Sequence, residues 1–190
     1  MSHAPLVVCV DDDAAVARAL SRSFQREQLS SLATTEPEEA LEWVLENEVA
    51  VLVSDFNMPV MNGVELASRV RQLRPTTVRI LLTGNTDLDT AMASINQGEI
   101  FRFVQKPVHL ASFMTVVHEA VTYHRELAAI AGERELAARR EKLNAELEAR
   151  YPMFTTPARA HDGAYLVQRR PDAAYAELGL ESLLELRRTR

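Results

Sequence analysis

The stretch that determines the fold is VAVLVSD, residues 49–55, a run of apolar and small residues that ends in an acid. Unbroken apolarity over so short a run is typical of a strand buried on both faces of a parallel sheet. Asp55 then stands at the carboxyl end of that strand, the edge at which open parallel sheets bind ligands. The run therefore predicts a central strand with a binding site beside it.

Three further apolar runs end beside polar residues: Leu6–Val10 before Asp11-Asp12-Asp13, Val78–Leu82 before Thr83, and Ile100–Val104 before Lys106. If these runs are parallel strands of one sheet, their carboxyl ends meet at one edge. Carboxylates, a hydroxyl and an ammonium are then expected to converge on a single small site.

Amphipathic stretches with helix signals separate the apolar runs. The predicted elements in chain order are a strand at Leu6–Val10, a helix at Ala14–Glu27, a strand at Ser31–Thr34, a helix at Pro37–Glu46, strand Ala50–Ser54, helix Val64–Leu73, strand Val78–Leu82, helix Asp87–Gln97 and strand Ile100–Val104. This alternation predicts an α/β fold with helices on both faces of the sheet. Right-handed crossovers then favour a flavodoxin-like, doubly wound sheet of five parallel strands in the order 2-1-3-4-5.

An extended C-terminal helix is predicted after Pro107, because residues 109–150 contain no proline and only one glycine, Gly132. Apolar residues follow a heptad seam at Phe113, Val116, Ala120, Tyr123, Leu127 and Ile130, and resume in a shifted phase at Leu136, Leu143 and Leu147. Such spacing is typical of a coiled coil, and it favours a homodimer formed through this helix. The alternative is a solvated helix with local ion pairs between its own charged residues.

Three segments are predicted from this pattern: a domain at residues 1–123, a projecting helix at 124–150 that forms a possible coiled coil, and a linker with a short helical tail at 151–190. The tail is too small to build a core of its own, and no output domain is recognisable in it. Its role is not predicted by its sequence.

Charge and composition exclude several classes of protein. The chain has 190 residues and a net charge of −6, and neither half has the basic excess that is typical of nucleic-acid binding. The single cysteine, Cys9, rules out an internal disulfide, and no apolar run approaches the roughly 20 residues that cross a bilayer. The first residues also lack the features of a signal peptide. We therefore expect a cytoplasmic protein that contacts neither membranes nor nucleic acid directly.

Three carboxylates at one sheet edge, those of Asp11, Asp12 and Asp55, would repel one another unless a cation lay between them. Oxygen ligands that leave room for water suit Mg²⁺, and the backbone carbonyl of Asn57 is a candidate fourth ligand. With the repulsion reduced, Asp55 is able to attack a phosphoryl group as a carboxylate nucleophile. Lys106 and Thr83 would contact the phosphoryl oxygens.

Four pieces of sequence, in this order, resemble the receiver domain of two-component response regulators: VDDD at 10–13, SDFNMPVMNG at 54–63, LTG at 82–84 and KP at 106–107. The resemblance covers residues 6–123. It implies the following roles: Asp55 as phosphoacceptor, Asp11 and Asp12 as metal ligands, Thr83 as the switch hydroxyl, Lys106 as the phosphate-contacting lysine and Phe103 as the switch aromatic. It also implies a cis peptide bond before Pro107.

The function implied by the resemblance is that of a switch. A sensor histidine kinase or a phosphotransfer protein donates a phosphoryl group to Asp55, and Thr83 with Phe103 relays the event. The output surface is the face made by the predicted fourth helix, the fifth strand and the helix that follows. Partner binding or dimer geometry changes as a result, and the protein is not an enzyme acting on a separate substrate.

Two alternatives remain open. In a haloacid-dehalogenase-like phosphatase, Asp11 and Asp13 would form the Asp-x-Asp pair that follows the first strand. In a constitutive scaffold, the sheet domain would be a platform for the helical arm, and phosphorylation would not alter partner binding.

Overall fold

The structure, a computed structural model, describes residues 4–84 and 100–150. Its strands are β1 (Leu6–Val10), β2 (Ser30–Thr34), β3 (Val49–Asp55), β4 (Val78–Thr83) and β5 (Arg102–Gln105), and its helices are α1 (Ala14–Arg26), α2 (Pro37–Glu46), α3 (Gly63–Leu73) and α4 (Leu110–Arg150). The five strands are parallel and lie in the order β2-β1-β3-β4-β5. The predicted flavodoxin-like fold and strand order are confirmed.

The core lies on both faces of the sheet because successive side chains of a strand point to opposite faces. Val7 and Cys9 of β1 join a buried cluster that contains Phe24 of α1 and Phe113 of α4. Val8 and Val10 join a second cluster with residues of α2 and α3. All seven residues of β3 are buried. Its continuous apolar run is therefore explained by helix packing on each face.

The last strand begins later than predicted. The sequence favoured a start at Ile100, whereas β5 begins at Arg102. Ile100 is buried ahead of the strand in a cluster with Phe56 and Leu81, so its apolar character reflects packing of the connection. The predicted helix at Asp87–Gln97 and the tail at 151–190 lie outside the described residues.

The predicted long helix is confirmed as α4, which runs for 41 residues. Its first half belongs to the core: Phe113 and Ala120, two positions of the predicted heptad seam, are buried there. Tyr123 and Ile130 remain exposed, and every residue from 129 to 150 is exposed. The early part of the seam is thus used inside the domain, and pairing between chains stays a prediction for the later part.

The chain divides into two units, Met1–Glu135 and Leu136–Arg190. The predicted segment boundaries at residues 123 and 150 stay predictions. Among the residues that the structure describes, no helix combines the length and apolarity needed to cross a membrane.

Candidate functional site

The three acidic residues singled out in the sequence lie together at the carboxyl edge of the sheet. Asp55 ends β3, and Asp11 and Asp12 follow β1, which pairs with β3 so that Val10 lies opposite Ser54. One carboxylate oxygen from each acid lies within 4.8 Å of the other two. Asp11 and Asp55 are buried, while Asp12 is exposed. Since buried carboxylates are costly without a counter-charge, the arrangement favours a cation.

Lys106 supplies positive charge to this cluster. Its Nζ lies 2.9 Å from Asp11 Oδ2 and 2.6 Å from Asp55 Oδ1. Its backbone N–H donates to the carbonyl of Thr83 at 2.8 Å, and the following peptide bond to Pro107 is cis, as the resemblance implied. Burial lowers the pKa of the Lys106 ammonium, but its hydrogen bonds to Asp55 and Asp11 outweigh burial and raise the pKa above its ordinary value. The side chain is therefore charged at neutral pH.

Thr83 and Phe103, the predicted switch pair, lie on neighbouring strands. Thr83 ends β4, is buried, and donates from Oγ1 to the carbonyl of Gly84 at 3.1 Å. Phe103 of β5 stands opposite Leu81 of β4 and is half-buried against the cluster that contains Phe56. Thr83 is therefore close in the sheet to Asp55, whose partner in β4 is Leu82. Their switching roles stay predictions.

Two other candidate residues, Asn57 and Asp13, lie close in sequence to the clustered acids. Asn57 is exposed, two residues beyond Asp55, and its role as a metal ligand stays a prediction. The Asp13 carboxylate accepts a hydrogen bond from the backbone N–H of Ala15 at 2.7 Å and so caps α1. Asp13 is not a member of the acidic cluster.

Sequence reasoning assigned no role to two residues that contact the backbone of Asp55. The hydroxyl of Ser54 donates to the Asp55 carbonyl oxygen at 2.9 Å. Gly63 begins α3, and a Cβ built there would lie 2.2 Å from the same oxygen. Ser54 gave no signal because it sat within an apolar run. Gly63 did give one, since a glycine directly after the helix-capping Asn62 suggests a close approach of two backbones.

A parallel sheet of this order, with an acidic cluster and a lysine at its carboxyl edge, is the architecture of a receiver domain. Residues 7–118 match the family described as response regulator receiver domain. The chain belongs to this family.

Curated relatives include several transcriptional regulators. The chain is similar to the DNA-binding transcriptional regulator NtrC of Proteus hauseri, with 31% identity over 62% of this chain and 24% of that protein. It is also similar to the hydrogenase transcriptional regulatory protein HoxA of Cupriavidus necator, with 32% identity over 60% of this chain and 24% of that protein. The chain thus spans about a quarter of the length of the curated relatives it matches.

Solved structures also resemble this chain. A structure described as adenylate cyclase from Rhodopirellula baltica is similar with a TM-score of 0.64 and 27% identity, over 71% of this chain and 98% of that one. The signal receiver domain of an HD domain-containing protein from Pseudomonas fluorescens is similar with a TM-score of 0.63 and 26% identity, over 68% of this chain and 95% of that one. The second likeness, to a structure described as a signal receiver domain, supports the receiver fold.

Proposed function

We propose that this receiver domain accepts a phosphoryl group on Asp55 from a sensor histidine kinase or a phosphotransfer protein. The observation that carries the proposal is the position of the Asp55 carboxylate, beside two other carboxylates and 2.6 Å from the Lys106 ammonium. A buried carboxylate nucleophile with negative carboxylates and a positive ammonium beside it suits phosphoryl transfer. That reaction depends on the placement of the reacting groups and on neutralisation of the phosphoryl oxygens.

The residues fit Mg²⁺ as the cation. Asp11, Asp12 and Asp55 offer only oxygen ligands, and the exposure of Asp12 leaves one side open to water and to a donor. Oxygen ligands with room for water are what Mg²⁺ prefers, and Asn57 is the candidate for a fourth ligand through its carbonyl. When bound, Mg²⁺ would neutralise negative charge on the carboxylates and on the phosphoryl oxygens.

The chemistry requires one Asp55 oxygen to bond to phosphorus while the bond from phosphorus to the donor nitrogen breaks. The electron pair of that bond stays with the donor histidine, and the product is an acyl phosphate on Asp55. Lys106, already within contact distance of Asp55, supplies a positive charge to a phosphoryl oxygen. The domain is thus an acceptor that assists its own phosphorylation, rather than an enzyme that turns over a separate substrate.

The output is a change in partner binding or dimer geometry. The Thr83 hydroxyl, at the strand end next to Asp55, turns toward the phosphoryl group, and Phe103 follows it inward. This relay works only if the phosphoryl group favours one conformation of the pair over the other. The surface near β5 and α4 then changes, and the exposed part of α4 pairs with a second copy of the chain.

Labelling with a small phosphodonor tests the acceptor. Wild-type protein, Asp55→Ala and Asp13→Asn are incubated with acetyl phosphate and Mg²⁺, and acyl phosphate is read on a phosphate-affinity gel. We expect labelling of the wild type and of Asp13→Asn, because Asn also caps helices, and none of Asp55→Ala. Normal labelling of Asp55→Ala would end the proposal.

The two alternatives have their own discriminating results. A phosphatase requires Asp13 at the reaction centre, whereas its carboxylate caps α1. Repeated turnover of a free phosphomonoester, lost in Asp13→Asn, would revive that alternative. A constitutive scaffold predicts equal partner affinity with and without beryllofluoride, a mimic of the phosphoryl group.

A further inference from the structure

Gly63 lies against the backbone of the candidate phosphoacceptor. A Cβ at this position would stand 2.2 Å from the carbonyl oxygen of Asp55, 3.0 Å from its carbonyl carbon and 3.0 Å from Leu81 Cδ2. The two nearest atoms belong to the main chain, which cannot rotate away as the end of a side chain can. Any larger residue at position 63 must therefore displace either the start of α3 or the end of β3.

Hydrogen bonds hold this peptide and the one that follows it on several sides. The N–H of Phe56 donates to the carbonyl of Leu82 at 2.8 Å, and the N–H of Gly63 donates to the carbonyl of Phe56 at 3.0 Å. The Ser54 hydroxyl donates to the Asp55 carbonyl oxygen at 2.9 Å. The end of β3 is thus fixed between β4 on one side and the first turn of α3 on the other.

We propose that Gly63 is a positioning residue for phosphoryl transfer, acting with Ser54 through the carbonyl of Asp55. The inference rests on the proposed function, since it concerns the placement of the Asp55 carboxylate. Close contact at Gly63 sets where β3 ends, and this sets the separation of the Asp55 carboxylate from Lys106 and Asp11. Gly63, which does not touch the phosphoryl group, therefore controls the position of the Asp55 carboxylate, which does.

A methyl group at position 63 tests this directly. To leave the contact, the new Cβ must retreat from 2.2 Å to at least 3.0 Å, a movement comparable to those that slow a positioned reaction by about 100-fold. We expect Gly63→Ala to lower the rate of labelling by acetyl phosphate at saturating Mg²⁺ by about tenfold or more. Mg²⁺ affinity, measured by calorimetry without any phosphodonor, should fall as well.

Two single variants serve as matched controls. Gly132→Ala makes the same chemical change at a position where, among the described residues, nothing beyond the local helix backbone and the neighbouring residues lies within 4 Å of the new Cβ. Val70→Ala removes buried atoms from α3 seven residues further along the helix, about 10 Å away. Both should label within about twofold of wild type once the folded fraction is matched by circular dichroism. A rate loss in Val70→Ala equal to that in Gly63→Ala would show that loss of stability explains the slower labelling of Gly63→Ala, and it would overturn the proposal.

A double variant identifies the atom responsible. Leu81→Ala removes the side chain nearest to the new methyl group, and it should not restore labelling of Gly63→Ala, because the closest contact is to the backbone oxygen of Asp55. Restoration by Leu81→Ala, or labelling of Gly63→Ala within about twofold of wild type, would overturn the proposal. If Gly63→Ala does not fold, Ser54→Ala decides: several-fold slower labelling supports the proposal, and an unchanged rate overturns it. Failure of the wild type to label at all would instead contradict the proposed function.

Discussion

At the scale of single residues, the site is a balance between three carboxylates and one ammonium. Lys106 contacts both Asp11 and Asp55, so it neutralises part of the charge that a divalent ion would also neutralise. A bound Mg²⁺ would therefore share ligands with Lys106 and would be repelled by its positive charge. The lysine should weaken metal binding and yet assist transfer of the phosphoryl group, whose negative oxygens it attracts.

Replacing this lysine should separate the two effects. We expect Lys106→Met to bind Mg²⁺ about tenfold more tightly, which corresponds to about 1.4 kcal/mol of repulsion removed, and to label more slowly. Calorimetry measures the first effect and acetyl phosphate labelling the second. Lys142→Met is the matched control, because Lys142 is the only other lysine and is exposed on α4. Weaker Mg²⁺ binding by Lys106→Met would contradict the competition.

Cys9 should make stability depend on alkaline pH. Burial raises the pKa of its thiol from 9.0 to about 12, and the nearby Asp11 carboxylate adds to the effect. Because the unfolded chain loses this proton first, the contribution to stability is complete below pH 9.0 and is lost as pH rises toward 12.

The expected loss is about 1.4 kcal/mol per pH unit in that window. Urea unfolding at several alkaline pH values measures it. Cys9→Ala is the control, since it lacks the thiol but keeps every other titrating group. An equal slope in Cys9→Ala would show that other groups are responsible.

At the scale of elements, the first turn of α3 closes the loop that follows Asp55. Asn62 caps this helix by accepting a hydrogen bond from the backbone N–H of Glu65 at 2.8 Å. Gly63 comes next and touches the Asp55 backbone. The cap at Asn62 therefore starts the helix, and the close contact at Gly63 places the helix against β3.

Loss of the cap should cost stability without changing the chemistry of the acids. We expect Asn62→Ala to lower the free energy of unfolding by about 1 kcal/mol, because one N–H of the first turn loses its acceptor. Asn62→Asp keeps an acceptor at the same place and should unfold like the wild type. Urea titration of the three proteins measures the difference, and equal loss in both variants would show that the cap is not the cause.

At the scale of the whole chain, α4 has two different environments. Phe113 and Val117 are buried in the domain, whereas Leu136, Leu143 and Leu147 are 63%, 54% and 41% exposed. Exposed leucines that share one helix face are typical of a surface that binds another helix. Pairing with a second copy is therefore proposed for the later part of α4 and not for its beginning.

Molar mass in solution should reveal this pairing. We expect the full chain to be a dimer, and a chain ending at Gly132 to be a monomer that keeps every buried residue of α4. Substituting Ala for Leu136, Leu143 and Leu147 together should also yield monomers. Light scattering with and without beryllofluoride shows whether phosphorylation alters the dimer. A monomeric full chain under both conditions would contradict the proposed pairing.

The sequence by itself determined the sheet and the identity of the acidic cluster. A continuous apolar run ending in Asp55 requires helices on both faces, and parallel strands must place their carboxyl ends at one edge. Residue order thus sufficed to predict that Asp11, Asp12, Asp55 and Lys106 converge.

Only the tertiary structure decided contacts that depend on distance rather than on pattern. The helical spacing of Phe113 and Ala120 suits a seam between chains as well as a core, and packing of α4 on the sheet assigned them to the core. Likewise, the glycine after Asn62 indicates a close approach of some kind, and only the structure shows that the Asp55 backbone is the neighbour that leaves Gly63 no room for a methyl group. Periodicity states which side chains share a face, while the partner of that face is set by the rest of the fold.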